Sequence, residues 1–179
     1  CPEAQCNLGI IYSDGKYISI DIKKAIYYFS LAANQNYLKA QCNLGIIYSD
    51  GKYITRDIKK AIHYYSLAAD QNIPEAQCNL GIIYYEGKYI PRDIKKAIHY
   101  LTLAANQNIP QAQYSLGIIY LKGEYISRDI NKTIHYYSLA ANQNFPQAQC
   151  NLGIIYSDGK YITRDIKKAI HYYSLAADQ

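Results

Sequence analysis

The 179-residue chain has no methionine, not even at its start, and opens on Cys1 in the middle of a helix-like pattern. It stops at Gln179 at the close of another such pattern, so it reads as a piece of a longer array whose targeting signals would lie elsewhere. Charge is scarce. Charged residues make up 18% against 50% hydrophobic, a balance that excludes wholesale disorder. The formal charge of +5 is too mild for a nucleic-acid-binding tail. No apolar run approaches the roughly 18–20 residues needed to span a bilayer, and no signal-peptide pattern begins the chain. A Gly-rich phosphate loop and a His-Glu-x-x-His pair are both missing, which removes two common catalytic signatures. Cysteine is sparse and odd in number: Cys1, Cys6, Cys42, Cys78 and Cys150. The last four share one repeat position, and equivalent positions on stacked helices lie about 8–10 Å apart, beyond disulfide reach. Unpaired thiols favour a reducing compartment such as the cytoplasm.

What the chain does have is repetition. Gly9, Gly45, Gly81, Gly117 and Gly153 recur every 36 residues without insertion, giving units 1–36, 37–72, 73–108, 109–144 and 145–179. A fixed period of that length marks a solenoid. In the third unit, Pro74 opens a first helix, where a missing N–H costs nothing. Ala76, Leu80, Ile83 and Tyr84 then form a stripe at helical spacing, and Gly87 supplies a stop. Asp93 is a good N-cap for a second helix whose inner face carries Ile94, Ala97, Ile98, Leu101, Ala104 and Ala105. Asn108 suits the left-handed turn at its exit. Gly81 inside the first helix costs about 1 kcal/mol relative to Ala, which predicts a close helix approach, expected against the Ala-Ala pairs. One unit cannot bury both stripes, so neighbours must stack.

The run Ala40, Leu44, Gly45, Tyr48, Gly51, then Asp57, Lys60, Ala61, Tyr64, Tyr65, Ala68 and Ala69, closely resembles the Sel-1-like repeat family, and the match covers the whole chain. The resemblance implies an all-α, right-handed α/α superhelix related to tetratricopeptide arrays. It also implies an adaptor that assembles protein complexes, with no enzymatic activity and no cofactor. Three departures stand out. The family's second loop glycine is replaced by Tyr17, Tyr53, Tyr89, Tyr125 and Tyr161; the helix exit uses Asn; and Thr133 replaces a second-helix alanine. Some relatives carry paired cysteines in each unit, whereas this chain has one. Units two and five are identical from Ala40–Gln71 to Ala148–Gln179, so sameness between units reflects duplication as much as physical need.

Opposite the first helix's apolar stripe lie the third, sixth, seventh, tenth, thirteenth and fourteenth positions of each unit. The resemblance to tetratricopeptide arrays implies that this arc lines a concave groove. Departures from the common unit concentrate there in the third and fourth units, and Tyr85, Glu86, Tyr114, Leu121 and Lys122, with Ile82 and Ile118, form the candidate partner-binding patch. Drift within a duplicated array is the competing reading. Cys6, Cys42, Cys78 and Cys150, with the isoleucines at the tenth position, also fit packing between adjacent first helices.

Residue by residue, the remaining chemistry is bland. His63, His99, His135 and His171 form a row on the second helices, about 10 Å apart, too far to share a metal. The cysteines point away from them, so no Cys/His pair forms. Arg56, Lys59, Lys60 and their copies read as a solvated basic face. An RNA-reading array, with the 22 tyrosines stacking on bases, is a lesser alternative. A spacer with no groove ligand is the other. Leu67, Leu103, Leu139 and Leu175 are expected to be exposed beside the histidine row, and Asn131-Lys-Thr133 fits a glycosylation acceptor.

Overall fold

The computed structural model describes residues 1–178; Gln179, the last residue of the fifth unit, lies outside them. Among the described residues there are ten helices and no strand. The first helices of the units are α1 (Pro2–Asp14), α3 (Leu38–Asp50), α5 (Pro74–Glu86), α7 (Pro110–Lys122) and α9 (Pro146–Asp158). The second helices are α2 (Ile22–Ala33), α4 (Ile58–Ala69), α6 (Ile94–Asn106), α8 (Ile130–Ala141) and α10 (Ile166–Ala177).

Local chemistry sets these boundaries. Each first helix ends on a glycine in the left-handed region, with φ between 60° at Gly87 and 71° at Gly51. Each second helix begins at an aspartate whose carboxylate accepts a backbone N–H three residues on, as from Lys96 to Asp93 at 3.0 Å. Asn36, Asn72, Asn108 and Asn144 adopt positive φ at the exit. There Ile109 N–H reaches Ala104 O at 3.2 Å and Asn108 N–H reaches Ala105 O at 3.0 Å, a Schellman pair that ends α6. The expected starts, stops and turns are those observed.

The helices of a unit pack as a hairpin, and each second helix packs on the next unit's first helix. Successive first helices also touch (α1 on α3, α3 on α5, α5 on α7), and no two successive second helices do so to a comparable degree. The first helices are therefore more closely spaced, which places them at the inner radius of the stack. The core is a chain of small clusters, each built from alanines and a few larger side chains of adjoining units. Leu101, Ala104, Ala112 and Leu116, for instance, join α6 to α7.

Two packing details differ from the sequence expectation. The mid-helix glycines do not face the Ala-Ala pairs. A Cβ on Gly117 would come within 2.4 Å of the Tyr137 ring, and the counterparts at Gly9, Gly45, Gly81 and Gly153 meet Phe29, Tyr65, Leu101 and Tyr173. The side chain twenty residues on lies across the glycine, and no methyl fits between them. The second difference is polar. Gln41, Gln77, Gln113 and Gln149 are buried within the first-helix stripe. Gln77 Nε2 donates to Ala69 O at 3.3 Å, while its Oε1 accepts from Gln107 Nε2 at 2.8 Å. Gln113 repeats the arrangement with Ala105 O at 3.2 Å and Gln143 at 2.8 Å. Gln41, Gln77 and Gln113 thus tie the second helix before them to the end of the one after, and burial costs these amides no hydrogen bond.

Candidate functional site on the first-helix face

The arc opposite the apolar stripe divides by position. Glu3, Lys39, Glu75, Gln111 and Gln147 are exposed. The sixth position is not uniformly open: Cys6 and Cys78 are buried, because it faces the next first helix. Asn43 Nδ2 approaches Cys6 Sγ at 4.0 Å, and Asn151 Nδ2 approaches Tyr114 Oη at 3.5 Å across the equivalent junction. Packing between adjacent first helices accounts for this ladder. Burial pushes the Cys42 and Cys78 thiols up to about 11, with the Glu75 carboxylate adding to both, so neither is a ready thiolate nucleophile. All five cysteines are free thiols. At the tenth position Ile46 and Ile154 are each 50% exposed, while Ile10, Ile82 and Ile118 are half-buried.

The candidate patch is brought together in part. Lys122 Nζ lies 6.0 Å from the Tyr85 ring centroid, and the Arg92 guanidinium lies 5.7 Å from it on the same unit's loop. Glu86 and Lys122 are exposed at the ends of α5 and α7. Tyr114 turns instead into the junction of the fourth and fifth units, 5.6 Å from the Tyr137 ring and 5.2 Å from Phe145. Leu121 and Ile118 pack against the same cluster around Tyr137, and Ile82 and Tyr85 pack against the one around Leu101. Five of the seven residues are thus half-buried, with Glu86 and Lys122 exposed.

These departures fit a packing exchange. Ser49 and Ser157 share hydrogen bonds of 3.3 Å with the hydroxyls of Tyr65 and Tyr173. In the third unit the pair becomes Tyr85 with Leu101, so large and small trade places. In the fourth, Leu121 replaces the serine, and Tyr137 loses the bond its counterparts make.

The same exchange shapes two clefts. Between the first and second units lies a cavity of about 190 Å³, walled by Ser13, Phe29, Asn43, Ile46 and Tyr53. Its equivalent between the second and third units measures about 240 Å³ and is walled by Ser49, Tyr65, Asn79, Ile82 and Tyr89, with Arg56 and Glu86 at its edge. Between the third and fourth units, where Tyr85 stands in place of the serine, the corresponding depression has no room for a water molecule.

Sequence reasoning missed what the loop tyrosines and arginines do together. Arg56 donates to Ser49 O and Asp50 O at 2.7 Å each, capping α3, and its guanidinium lies 4.6 Å from the Tyr89 ring of the next unit. Arg92 stacks likewise on Tyr125 at 4.5 Å, and Arg128 on Tyr161 at 5.0 Å. These arginines are cross-unit staples, which corrects the reading of a merely solvated basic face. The usable signal was the unusual tyrosine at the second loop glycine, which at Tyr89, Tyr125 and Tyr161 follows an arginine 33 residues earlier. The lysine three residues after each N-cap aspartate is exposed and paired with it, as Lys60 with Asp57 at 3.7 Å.

The histidine row is exposed, each ring edge-on to the following tyrosine, as His99 on Tyr100 at 5.2 Å. No group of three or more His, Cys, Asp or Glu residues able to hold a metal occurs among the described residues. Leu67, Leu103, Leu139 and Leu175 are half-buried, not exposed. Thr133 is buried with its hydroxyl donating to Asp129 O at 2.9 Å. No described helix is long and apolar enough to cross a membrane.

Comparison with known proteins places this architecture. The Sel1 repeat model matches residues 2–37, 38–73, 74–109, 110–145 and 146–179, one residue off the units counted from Cys1. A protective antigen present in uropathogenic Escherichia coli strains, which displays an SLR fold, superposes with a TM-score of 0.93 at 32% identity. That match covers 99% of this chain but only 38% of the antigen. A Sel1 repeat protein from Oxalobacter formigenes superposes with a TM-score of 0.88 at 31% identity, over 99% of this chain and 73% of that one. Among curated protein sequences there is no match. Five consecutive repeat matches, each spanning one helical hairpin, leave a single assignment: the chain belongs to the Sel1 repeat family.

Proposed function

We propose that this array holds a segment of a partner protein against its first-helix face. Sel1 repeat proteins generally serve as scaffolds for protein interaction. The reading offered for this chain is the face used and the residues that meet the partner. The observation that carries it is the row of isoleucines at the tenth position, with Ile46 and Ile154 half exposed on the closely spaced side of the stack. The core does not use that exposed area, and an apolar row rimmed by charge suits a docked chain. Glu86 and Lys122 supply rim charges beside Tyr85, Ile82 and Ile118, with Tyr114 and Leu121 holding the underlying junction rigid.

A peptide library displayed against the immobilised array tests this. The enriched peptide should bind about tenfold more weakly to Ile46→Ser and to the Glu86→Lys, Lys122→Glu pair, the loss expected for truncating an anchor. His63→Ser and His99→Ser, on the second helices, should leave affinity unchanged. Equal weakening by the histidine variants would move the partner to the other face, and a library that enriches nothing would leave a spacer.

A further inference from the structure

We infer that the two open clefts are sockets for aromatic side chains, and that the segment bound there is a left-handed extended helix carrying phenols three residues apart. The inference rests on the proposed first-helix docking face and names the chemistry of the partner. Three observations carry it. First, the clefts recur at the same place, one between the first and second units and one between the second and third, with serine, asparagine, isoleucine and an aromatic wall in both. Their volumes, about 190 and 240 Å³, fall below the roughly 300–1,000 Å³ of small-molecule sites and suit a single large side chain.

Second, the chain itself shows what fills such a space. Where the third unit carries Tyr85 with Leu101 in place of the serine and the tyrosine, the equivalent cleft narrows until no water molecule fits. The Tyr85 ring there lies 5.7 Å from Arg92 and 6.0 Å from Lys122, so the filled socket surrounds a phenol with cations. The socket between the second and third units keeps the counterpart of Arg92, namely Arg56, at its edge, and offers the Glu86 carboxylate as acceptor for a hydroxyl. A phenol is complementary to both.

Third, the spacing suits an extended left-handed helix. Adjacent first helices touch, so equivalent points one unit apart are about 8–10 Å apart. A polyproline II segment rises about 3.1 Å per residue with three residues per turn, so its side chains at i and i+3 share a face about 9 Å apart. A β-strand puts i and i+3 on opposite faces and cannot fill both sockets.

The probe is an acetylated, amidated Pro-Tyr-Pro-Pro-Tyr-Pro peptide, titrated into the intact array by calorimetry. Replacing either Tyr by Ala should weaken binding about tenfold, and separating the two Tyr by five residues should do the same. Plugging the second socket by Ser49→Tyr with Tyr65→Leu copies the native third unit, so it should fold normally while weakening binding at least tenfold. Opening the third junction by Tyr85→Ser with Leu101→Tyr copies the second unit. It should strengthen a three-phenol peptide severalfold relative to the parent array. Circular dichroism confirms that both swapped arrays are folded. Binding insensitive to the plugging swap, equal affinity for the Ala peptides, or no measurable binding of the probe overturns the sockets. A displayed library that enriches non-aromatic segments sensitive to Ile46→Ser overturns the sockets while leaving the first-helix docking face standing.

Discussion

Replacing Gly117 by alanine sets two effects of opposite sign against each other. Alanine in a helix interior is favoured over glycine by about 1 kcal/mol, so propensity alone makes Gly117→Ala stabilising. The new Cβ, however, would stand 2.4 Å from two ring carbons of Tyr137, a side chain with 0% exposure packed between the fourth and fifth units. That ring cannot swing into solvent, and overpacking of a closed core costs about 1–3 kcal/mol. The net expectation is destabilisation by up to about 2 kcal/mol. Gly153 is an internal control. Its Cβ would approach Tyr173 almost as closely, at 2.6 Å, but that ring is 41% exposed and free to move. Gly153→Ala should therefore be neutral or stabilising. Urea unfolding followed by circular dichroism reads both variants, and Tyr137→Ala added to Gly117→Ala should cost less than the sum of the single changes. Stabilisation by Gly117→Ala equal to that at Gly153 would refute the close approach as the reason for glycine.

Two further expectations concern the junctions and the thiols. Arg92→Ala removes the stack on Tyr125 and the bond to Glu86 O, and should lower stability by about 0.5–1 kcal/mol in urea unfolding, whereas Lys95→Ala on the same surface should change little. Cys1 and Cys150 should react with a thiol reagent at pH 8 well before Cys6, Cys42 and Cys78, because burial raises the pKa of these three. Since the folded thiol of Cys78 titrates at about 11 against an ordinary 9.0, its unfolded form loses the proton first. The stability it contributes is fully present below pH 9 and fades as pH rises towards 11. The urea midpoint should fall between pH 8 and pH 10.5, and Cys78→Ala should fall less.

Which residues would fold into helices was legible because it rests on local chemistry. Asp93, Gly87, Pro74 and Asn108 each act within a few residues of themselves, so a single unit suffices to read them. The period then forces stacking, since neither stripe can be buried within one unit. The candidate site was less legible. Tyr114 and Leu121 look like exposed anchors on a helical wheel, yet both help close the junction around Tyr137. Gln77 was overlooked among the apolar positions because its partners are distant: Ala69 lies in the preceding unit, and Gln107 lies thirty residues on, past the end of α6. The staple from Arg56 to Tyr89 crosses a junction in the same way.

Units two and five separate the two kinds of information, because they are identical over Ala40–Gln71 and Ala148–Gln179. Sequence alone determined their helices, caps and turns, which come out alike in both. Only the stack decided that Tyr65 is 2% exposed while its copy Tyr173 is 41% exposed. Whether a cleft opens behind Ser49 or narrows at Tyr85 likewise depends on the walls that two units bring together. Backbone preferences act through bonds between near neighbours, whereas burial and cavity shape depend on whatever surface the next unit brings against them.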